Sequence, residues 1–451
     1  MTEQTRSGFN PKEEERHLVN LVSDILDEAK KQGADACEVG ASVDAGLSVN
    51  VRMGNVETVE FNRDKGFGIT VYFGKKKGTA STSDSSLKAV RETVKAACDI
   101  AGYATEDPCA GLADADLMAT DLPDLDLYYP WDVSVDQVID QAVACEKAGL
   151  AVSEVISNSE GGSVGTNRGC RVYGNSHGFL GSHISSRHSI SAVLIAQKND
   201  EMQRDYWYST ARDAHDMEPA TQVGEKAAQR TLSRLGARKI KTTQSPVVFS
   251  PEMASGLLSY LLAAISGNHL YQQSSFLLDH LGRQIFPDWV HIHEKPRLKK
   301  AMGSACFDND GLPTYSKDLV REGVLDSYLL GTYSARKLGM KSTANAGGVN
   351  NVFIDPNAQG QASLLKQMGT GLLVTELMGQ GVNIVTGDYS RGAGGFWVEN
   401  GEIQYPVSEV TIAGNLKDMF RHFIAAGNDI DYRGNILSGS LLLDGMTIAG
   451  E

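Results

Sequence analysis

The feature that most constrains the fold is a run of short alternating segments after the first helix. Residues 14–30 carry apolar side chains at helical spacing, and Gly33 ends this helix. Segments with a period of two then follow, separated by turn-forming residues; they cover residues 37–42, 46–52, 56–62, 68–73 and 78–82. This pattern predicts an antiparallel meander of four or five strands. A helix capped by Ser83 or Asp84 completes a first helix–strands–helix unit.

A second unit with the same order of elements follows a linker. Residues 103–131 are rich in proline and aspartate, which predicts a linker or long loop. Ser134 and Gln137 have the spacing of a capping box at the start of a helix that ends near Leu150. Strand-like segments fill residues 152–213, and a further helix follows Pro219.

The last part of the chain is rich in hairpin signals. Glu322-Gly323 and Asn400-Gly401 each lie between two strand-like segments. Helices are predicted at 252–266 and 414–426, without a βαβ rhythm. The predicted class is α+β, with an N-terminal lobe of two helix/antiparallel-sheet units and a hairpin-rich C-terminal domain. The predicted boundaries are 1–110, 111–237 and 238–451.

Charge and composition exclude several classes of function. The net charge is −14, which argues against direct binding of nucleic acid because such binding needs a basic face. No apolar run reaches the ~18 residues of a membrane span, and the first residues lack the apolar region of a signal peptide. Six cysteines without a CxxC pair are expected to be free thiols. We therefore expect a soluble, cytoplasmic protein that does not bind membranes.

The histidines give only a weak signal for a metal. Zinc proteases place two histidines one helical turn apart with a glutamate beside the first, and none of the ten histidines has this arrangement. His291 and His293 would share one face of a strand and could chelate an ion, with Glu294 nearby. Histidines on amphipathic strands are more often ordinary surface residues, so the prediction is that the chain has no metal site.

A possible nucleophile motif is also better explained as structure. Residues 161–165 match GxSxG, but a reactive serine in this motif needs a strand before it and a helix after it. The residues that follow are typical of strands or turns. Ser163 is therefore predicted to be a hairpin residue, and no catalytic residue is predicted.

Two polar stretches in the last domain are the best candidates for a functional cleft. They are residues 266–276 and 386–395, and each follows an apolar element. Small residues in such loops let a ligand's backbone approach closely, although ordinary surface loops have the same composition. The candidate residues lining a substrate channel are His269, Tyr271, Asp388, Tyr389 and Arg391. Alternatively, Asp388 and Arg391 fix the loop by pairing.

Long tracts of the sequence resemble the PmbA/TldE family. The resemblance lies in residues 271–279, 333–339 and 375–409, and in the shorter runs 59–62, 107–111, 174–178 and 230–234. It covers nearly the whole chain and is far more specific than a short catalytic motif. It implies one half of a two-chain TldD/TldE peptidase that trims or degrades small or unfolded peptides. Some members carry the older name of modulator of DNA gyrase.

The resemblance also implies where zinc is bound. The TldD-type sister chain carries an HExxxH zinc motif that is completed by a later cysteine. In the corresponding segment this chain has one histidine, His269, without a following glutamate, and there is no cysteine between Thr386 and Gly395. One imidazole cannot hold zinc, which needs three or four protein ligands. We therefore expect no cofactor in this chain and zinc on a TldD-type partner.

Three functions stay open at this point. The first is a zinc-lacking partner subunit that binds a TldD-type chain and unfolded peptide, and that can form a homodimer when isolated. The second is an autonomous metallopeptidase with an atypical metal site at His269 or at His291 and His293. The third is an adaptor that modulates DNA gyrase or a toxin, which rests on naming alone.

Overall fold

The computed structural model describes residues 9–450. Its helices are α1 (Pro11–Lys31), α2 (Leu87–Tyr103), α3 (Val135–Leu150), α4 (Ala220–Ser233), α5 (Pro251–Ala264), α6 (Gly267–Tyr271), α7 (Thr332–Leu338), α8 (Gly360–Met368) and α9 (Leu416–Arg421). No helix within residues 9–450 combines the length and the apolar character that crossing a lipid bilayer would need.

The strands alternate with these helices along the chain. They are β1 (Ala36–Arg52), β2 (Asn55–Phe73), β3 (Lys76–Thr82), β4 (Ile156–Asn175), β5 (Leu180–Lys198), β6 (Glu201–Ala211), β7 (Thr243–Phe249), β8 (Ile292–Glu294), β9 (Lys317–Arg321), β10 (Val324–Leu325), β11 (Val352–Ile354), β12 (Gly371–Met378), β13 (Asp388–Glu399), β14 (Glu402–Asn415), β15 (Phe423–Ala426), β16 (Ile436–Leu437) and β17 (Leu441–Ala449). Strands and helices are mixed as the sequence predicts, in an α+β fold.

The described chain divides into two compact units. The first comprises residues 9–197, 204–231 and 305–314, and the second comprises residues 198–203, 232–304 and 315–450.

A six-stranded sheet with the order β3-β2-β1-β4-β5-β6 dominates the first unit. The four or five short strands expected before residue 82 are in fact three, because β1 and β2 run without interruption through the expected turns. Gly66 pairs with Ser42 inside the β1–β2 ladder, so residues 64–66 form no turn. Since β1 is also paired to β4 on its other side, ladder hydrogen bonds hold it extended throughout.

Helix ends in the first unit follow local capping chemistry. The Ser134 hydroxyl accepts from Gln137 N, and the Gln137 side chain accepts from Ser134 N, which confirms the predicted capping box. Helix α2 is capped by Ser86 rather than by Ser83 or Asp84, since the Ser86 hydroxyl accepts from Ala89 N.

The GxSxG segment lies inside strand β4. Ser163 pairs with Asn50 of β1 and with Ser191 of β5, so it sits in the middle of the sheet without a following helix. A nucleophile elbow cannot form there, as the sequence predicts.

The second unit contains two sheets, with a large apolar core and a smaller apolar cluster. The larger has the order β14-β13-β12-β7-β17-β15, and an additional β14–β17 pairing joins its first strand to its fifth. The smaller has the order β10-β9-β8-β11-β16. The core between these elements includes Phe249, Leu257, Leu261, Phe286 and Phe420, all at least 99% buried.

The two predicted hairpin turns are present in this unit. Asn400 and Gly401 connect β13 to β14 with positive φ angles of 54° and 77°, and Glu322 and Gly323 connect β9 to β10 with 50° and 75°. Only Gly adopts such angles freely, and Asn tolerates them. The helix expected at 414–426 is shorter, because Phe423–Ala426 pair with β17 as strand β15.

Candidate functional site

The first polar stretch forms the short helix α6 and the loop after it. His269 lies on α6, where its Nδ1 is 3.0 Å from the Ser266 hydroxyl. The carbonyl of His269 accepts hydrogen bonds from both the backbone and the hydroxyl of Ser274. These contacts fix the loop that leads from α6 to Phe276, and they leave His269 as a partly buried polar residue.

The donor set around His269 does not fit a catalytic zinc of the kind that the family resemblance implies for the TldD-type chain. Within residues 9–450, the only group of three or more His, Cys, Asp or Glu side chains with converging ligand atoms is His291, His293 and Asp355. His269 is not part of it, and its imidazole contacts a serine hydroxyl instead. A catalytic zinc needs three protein ligands and an open position, so no catalytic step is derived for a metal at His269.

Tyr271, at the end of α6, packs against a second aromatic side chain, that of Tyr333. Its ring meets the Tyr333 ring edge-on with 5.6 Å between centroids, and the Lys337 ammonium lies 5.3 Å from the centre of Tyr333. Both partners lie on α7. The arrangement forms an aromatic surface with one cationic edge.

The candidate channel residues Asp388, Tyr389 and Arg391 all lie on strand β13, but not on the same face of it. Side chains alternate along a strand, so Tyr389 and Arg391 point to one side and Asp388 to the other. Tyr389 is 1% exposed and Asp388 is exposed. The five candidate residues therefore do not line a single surface.

Tyr389 and Arg391 are brought together by Tyr260 of helix α5. The Arg391 guanidinium donates to the Tyr260 hydroxyl over 3.2 Å, and the Tyr260 and Tyr389 rings meet edge-on with 6.1 Å between centroids. Burial, the largest effect, raises the pKa of the Tyr389 phenol, so this group stays protonated and can donate. The Tyr389 hydroxyl and Arg391 Nε are buried donors without a hydrogen-bond partner among the described residues.

Asp388 has a local role in the loop before β13. Its carboxylate accepts from the Thr386 hydroxyl over 2.6 Å and from the Asn415 amide over 3.1 Å. These hydrogen bonds lower the pKa of Asp388. Asp388 therefore joins the start of β13 to the end of β14, and its contacts do not include Arg391.

The two polar stretches meet through a backbone hydrogen bond. Phe276 N donates to Ile384 O over 2.8 Å, which joins the loop after α6 to the loop before β13. Gly387, in the second loop, lies so close to Phe276 that an added Cβ would be 3.4 Å from its ring. Sequence spacing alone could not show this contact.

A second cluster lies where strands β8 and β11 end. His291 precedes β8, His293 lies within it, and Asp355 follows the antiparallel partner β11. His291 Nδ1 is 3.1 Å from Asp355 Oδ2, and His293 Nδ1 is 3.5 Å from Asp355 Oδ1. The spacing of the sequence indicates both histidines but not Asp355, because strand pairing and not spacing places Asp355 there.

Glu294 does not join this cluster. It lies on the opposite face of β8, where its fully buried carboxylate is 2.9 Å from Lys317 Nζ and accepts from the Asn345 amide. Asn350 N also donates to it. Glu294 is thus fixed in a buried ion pair.

Comparisons with known proteins establish the family. A family model described as the PmbA/TldA metallopeptidase C-terminal domain matches residues 242–450, and models for the central domain and domain 1 match 128–235 and 37–101. The Metalloprotease PmbA of Escherichia coli O157:H7 is 52% identical over 434 residues, which covers 96% of each chain. A homolog from Haemophilus influenzae is 50% identical and covers 98% of each chain. The chain belongs to the PmbA/TldD family of metallopeptidases.

Solved structures show the same architecture. A Bacteroides thetaiotaomicron protein described as a modulator of DNA gyrase matches with a TM-score of 0.91 and 29% identity, covering 96% of this chain and 98% of that one. TldE from Thermococcus kodakarensis matches with a TM-score of 0.80 and 19% identity, covering 95% and 100%. The latter likeness concerns the fold alone.

Proposed function

We propose that this chain is the non-catalytic partner subunit, without the catalytic zinc, of a TldD/TldE-type metallopeptidase that degrades or trims unfolded peptides in the cytoplasm. The observation that carries the proposal is the environment of His269. In the segment where the family resemblance expects a zinc helix, His269 contacts a serine hydroxyl and is not part of any converging donor set among the described residues. Catalytic zinc is therefore assigned to a TldD-type partner chain.

An unpaired sheet edge supports the existence of a partner. Strand β2 pairs with β3 only over Phe67–Phe73. Residues 55–65 pair with β1 on one side, and no described strand pairs with them on the other. Every residue from 55 to 65 is exposed, including Val59 and Phe61, which share a face. A long unpaired strand edge that also exposes apolar side chains invites pairing with another chain, so this segment is the candidate surface for the TldD-type subunit.

The same physical chemistry suits a peptide substrate. Unfolded peptides are bound without sequence preference when main-chain groups provide most of the contacts. The buried Tyr389 hydroxyl and Arg391 Nε are donors that lack protein acceptors among the described residues. Buried polar groups are normally hydrogen-bonded, so a peptide carbonyl or carboxylate would satisfy these donors if binding opened a path to the two atoms, which are closed to solvent here.

Reconstitution tests the proposal. The purified chain and a TldD-type chain are assayed for peptide cleavage separately and mixed, with zinc present. We expect no turnover by this chain alone and cleavage by the mixture that exceeds that of the TldD-type chain. Turnover by this chain alone, lost in His269→Ala, would instead establish an autonomous metallopeptidase.

A variant of the β2 edge tests the interface. Phe61→Glu places a charge on the 57% exposed ring position and should weaken the complex at least about tenfold, measured by sedimentation. Tyr103→Glu, at a 95% exposed aromatic on α2, is the matched control and should assemble normally. Equal assembly of both variants would exclude this edge. Recovery of gyrase instead of a TldD-type chain from cells would favour the adaptor function.

A further inference from the structure

Three side chains of the second unit converge with the distances of a metal site. The ligand atoms of His291, His293 and Asp355 all lie within 4.8 Å of one another. The two histidine-to-aspartate distances, 3.1 and 3.5 Å, bracket the ~3.4 Å between neighbouring ligand atoms in a tetrahedral site with bonds near 2.1 Å.

The state of His293 is an independent indication that this cluster binds something. Its side chain is only 9% exposed, and neither ring nitrogen makes a hydrogen bond among the described residues. Buried histidines normally satisfy at least one nitrogen. The ring stacks on Phe353 with 15° between the planes, which fixes its orientation towards Asp355.

The imidazole of His291 contacts a carboxylate on the side away from Asp355, as metal-bound histidines usually do. Its Nε2 lies 2.8 Å from Asp318 Oδ1, and Asp318 is held in turn by Arg321 over 2.6 Å. When Nε2 donates its proton to Asp318, Nδ1 presents its lone pair towards Asp355. A carboxylate behind an imidazole fixes the tautomer and orients the ring in this way in most histidine metal sites.

We propose that His291, His293 and Asp355 bind one divalent transition-metal ion, preferably Zn²⁺. Asp318 lies behind His291 and orients its imidazole. Two imidazoles and one carboxylate suit such ions better than Mg²⁺ or Ca²⁺, which prefer oxygen donors. This proposal differs from the expectation, drawn from the sequence, that the chain has no metal site.

The role assigned to the ion is to bind the ends of β8 and β11 together, not to hydrolyse peptides. The carboxylates next to the site in sequence or contact are already engaged: Asp318 by His291 and Arg321, and Glu294 by Lys317 on the opposite face. Neither is free to take a proton from a metal-bound water. The site is therefore separate from the catalytic zinc assigned to the partner chain.

Metal titration of this chain alone tests the proposal, without any assay of peptidase activity. The full chain is stripped with a chelator and titrated with Zn²⁺ by calorimetry and with Co²⁺ by visible absorption. We expect one ion per chain and the strong d–d bands of four-coordinate Co²⁺. His291→Gln and Asp355→Asn should each weaken binding at least about 100-fold, and Asp318→Asn about 10–100-fold with unchanged stoichiometry.

Controls distinguish a site from non-specific binding. Asp355 is 50% exposed, so Asp355→Asn should fold normally, and circular dichroism checks this. His269→Ala should bind the ion as the wild type does. No bound ion in the wild type, unchanged affinity in folded Asp355→Asn, or loss of the ion in His269→Ala would each overturn the proposal. Because the chain is tested alone, these outcomes are independent of whether it assembles with a TldD-type subunit.

Discussion

Glu146 of helix α3 holds the turn between strands β1 and β2 through Gly54. Its carboxylate accepts hydrogen bonds of 2.9 Å from the backbone N–H groups of Met53 and Gly54, one on each oxygen. Met53 and Gly54 have positive φ angles of 49° and 76°, which leaves both N–H groups facing the helix. Helix and hairpin are thereby connected by charge-assisted hydrogen bonds inside the first unit.

Replacement of this carboxylate should destabilise the first unit. Glu146 is 1% exposed, so Glu146→Gln leaves an amide NH₂ facing a backbone N–H without water to compensate. We expect a loss of about 1–3 kcal/mol in the free energy of unfolding, measured with denaturant. Glu154→Gln, at an exposed position just after the same helix, is the control and should change little. Equal stability of the two variants would show that the contact contributes nothing.

Two helical glycines should respond in opposite ways to replacement by alanine, because only one of them lies against a neighbouring helix. A Cβ added at Gly224 of α4 would lie 1.9 Å from the carbonyl oxygen of Cys145 on α3, which forces the helices apart. Gly224→Ala should therefore destabilise the protein by about 1–3 kcal/mol. Gly102 of α2 has nothing within 4 Å of its Cβ position, so Gly102→Ala should stabilise by about 0.5–1 kcal/mol. Thermal unfolding compares the two; the same sign for both would contradict the packing argument.

The buried ion pair of Glu294 and Lys317 should be sensitive to loss of one partner. Their side chains are 0% and 7% exposed, and Lys317 also donates to Thr343 O. Lys317→Met leaves an uncompensated buried carboxylate and should cost about 3–5 kcal/mol. The double variant with Glu294→Gln should recover part of this loss, which a denaturant-based double-mutant cycle measures. A double variant less stable than Lys317→Met alone would contradict the explanation.

Stability should depend on pH through His183. Burial, and then the nearby Arg212 and Arg171, lower the pKa of His183 from 6.5 to about 4. The unfolded chain therefore binds a proton below pH 6.5 that the folded chain does not bind until about pH 4. Stability must fall as the pH decreases through this window, by up to about 3 kcal/mol from this group.

The substitution His183→Gln should remove that part of the pH dependence. Its unfolding free energy should fall less steeply than that of the wild type between pH 6.5 and 4, whatever constant difference the change in packing adds. His215→Gln, at a side chain that is 94% exposed, is the matched control. Denaturant unfolding at several pH values gives the slopes, and a slope as steep as that of the wild type would contradict the assignment.

The lengths of strands β1 and β2 show that sequence patterns alone do not locate where a strand ends. The alternation of residues 37–82 correctly indicates antiparallel strands, but Asp64-Lys65-Gly66 resembles a turn and is not one. Its residues pair with β1 because a ladder on both sides of β1 is more favourable than a local turn. The candidate channel residues show the same limit, since the alternation of β13 separates Asp388 from Tyr389 and Arg391.

The sequence by itself determined the features that depend on residues near one another in the chain. These are the capping box at Ser134, the hairpin at Asn400-Gly401, the amphipathic face of α1 and the α+β class. Tertiary structure alone decided that Asp355 meets His291 and His293, and that Glu146 meets Gly54. These contacts depend on strand register and helix packing, which are set by burial of the whole core. No spacing along the chain encodes them, because distant residues meet only after that core has formed.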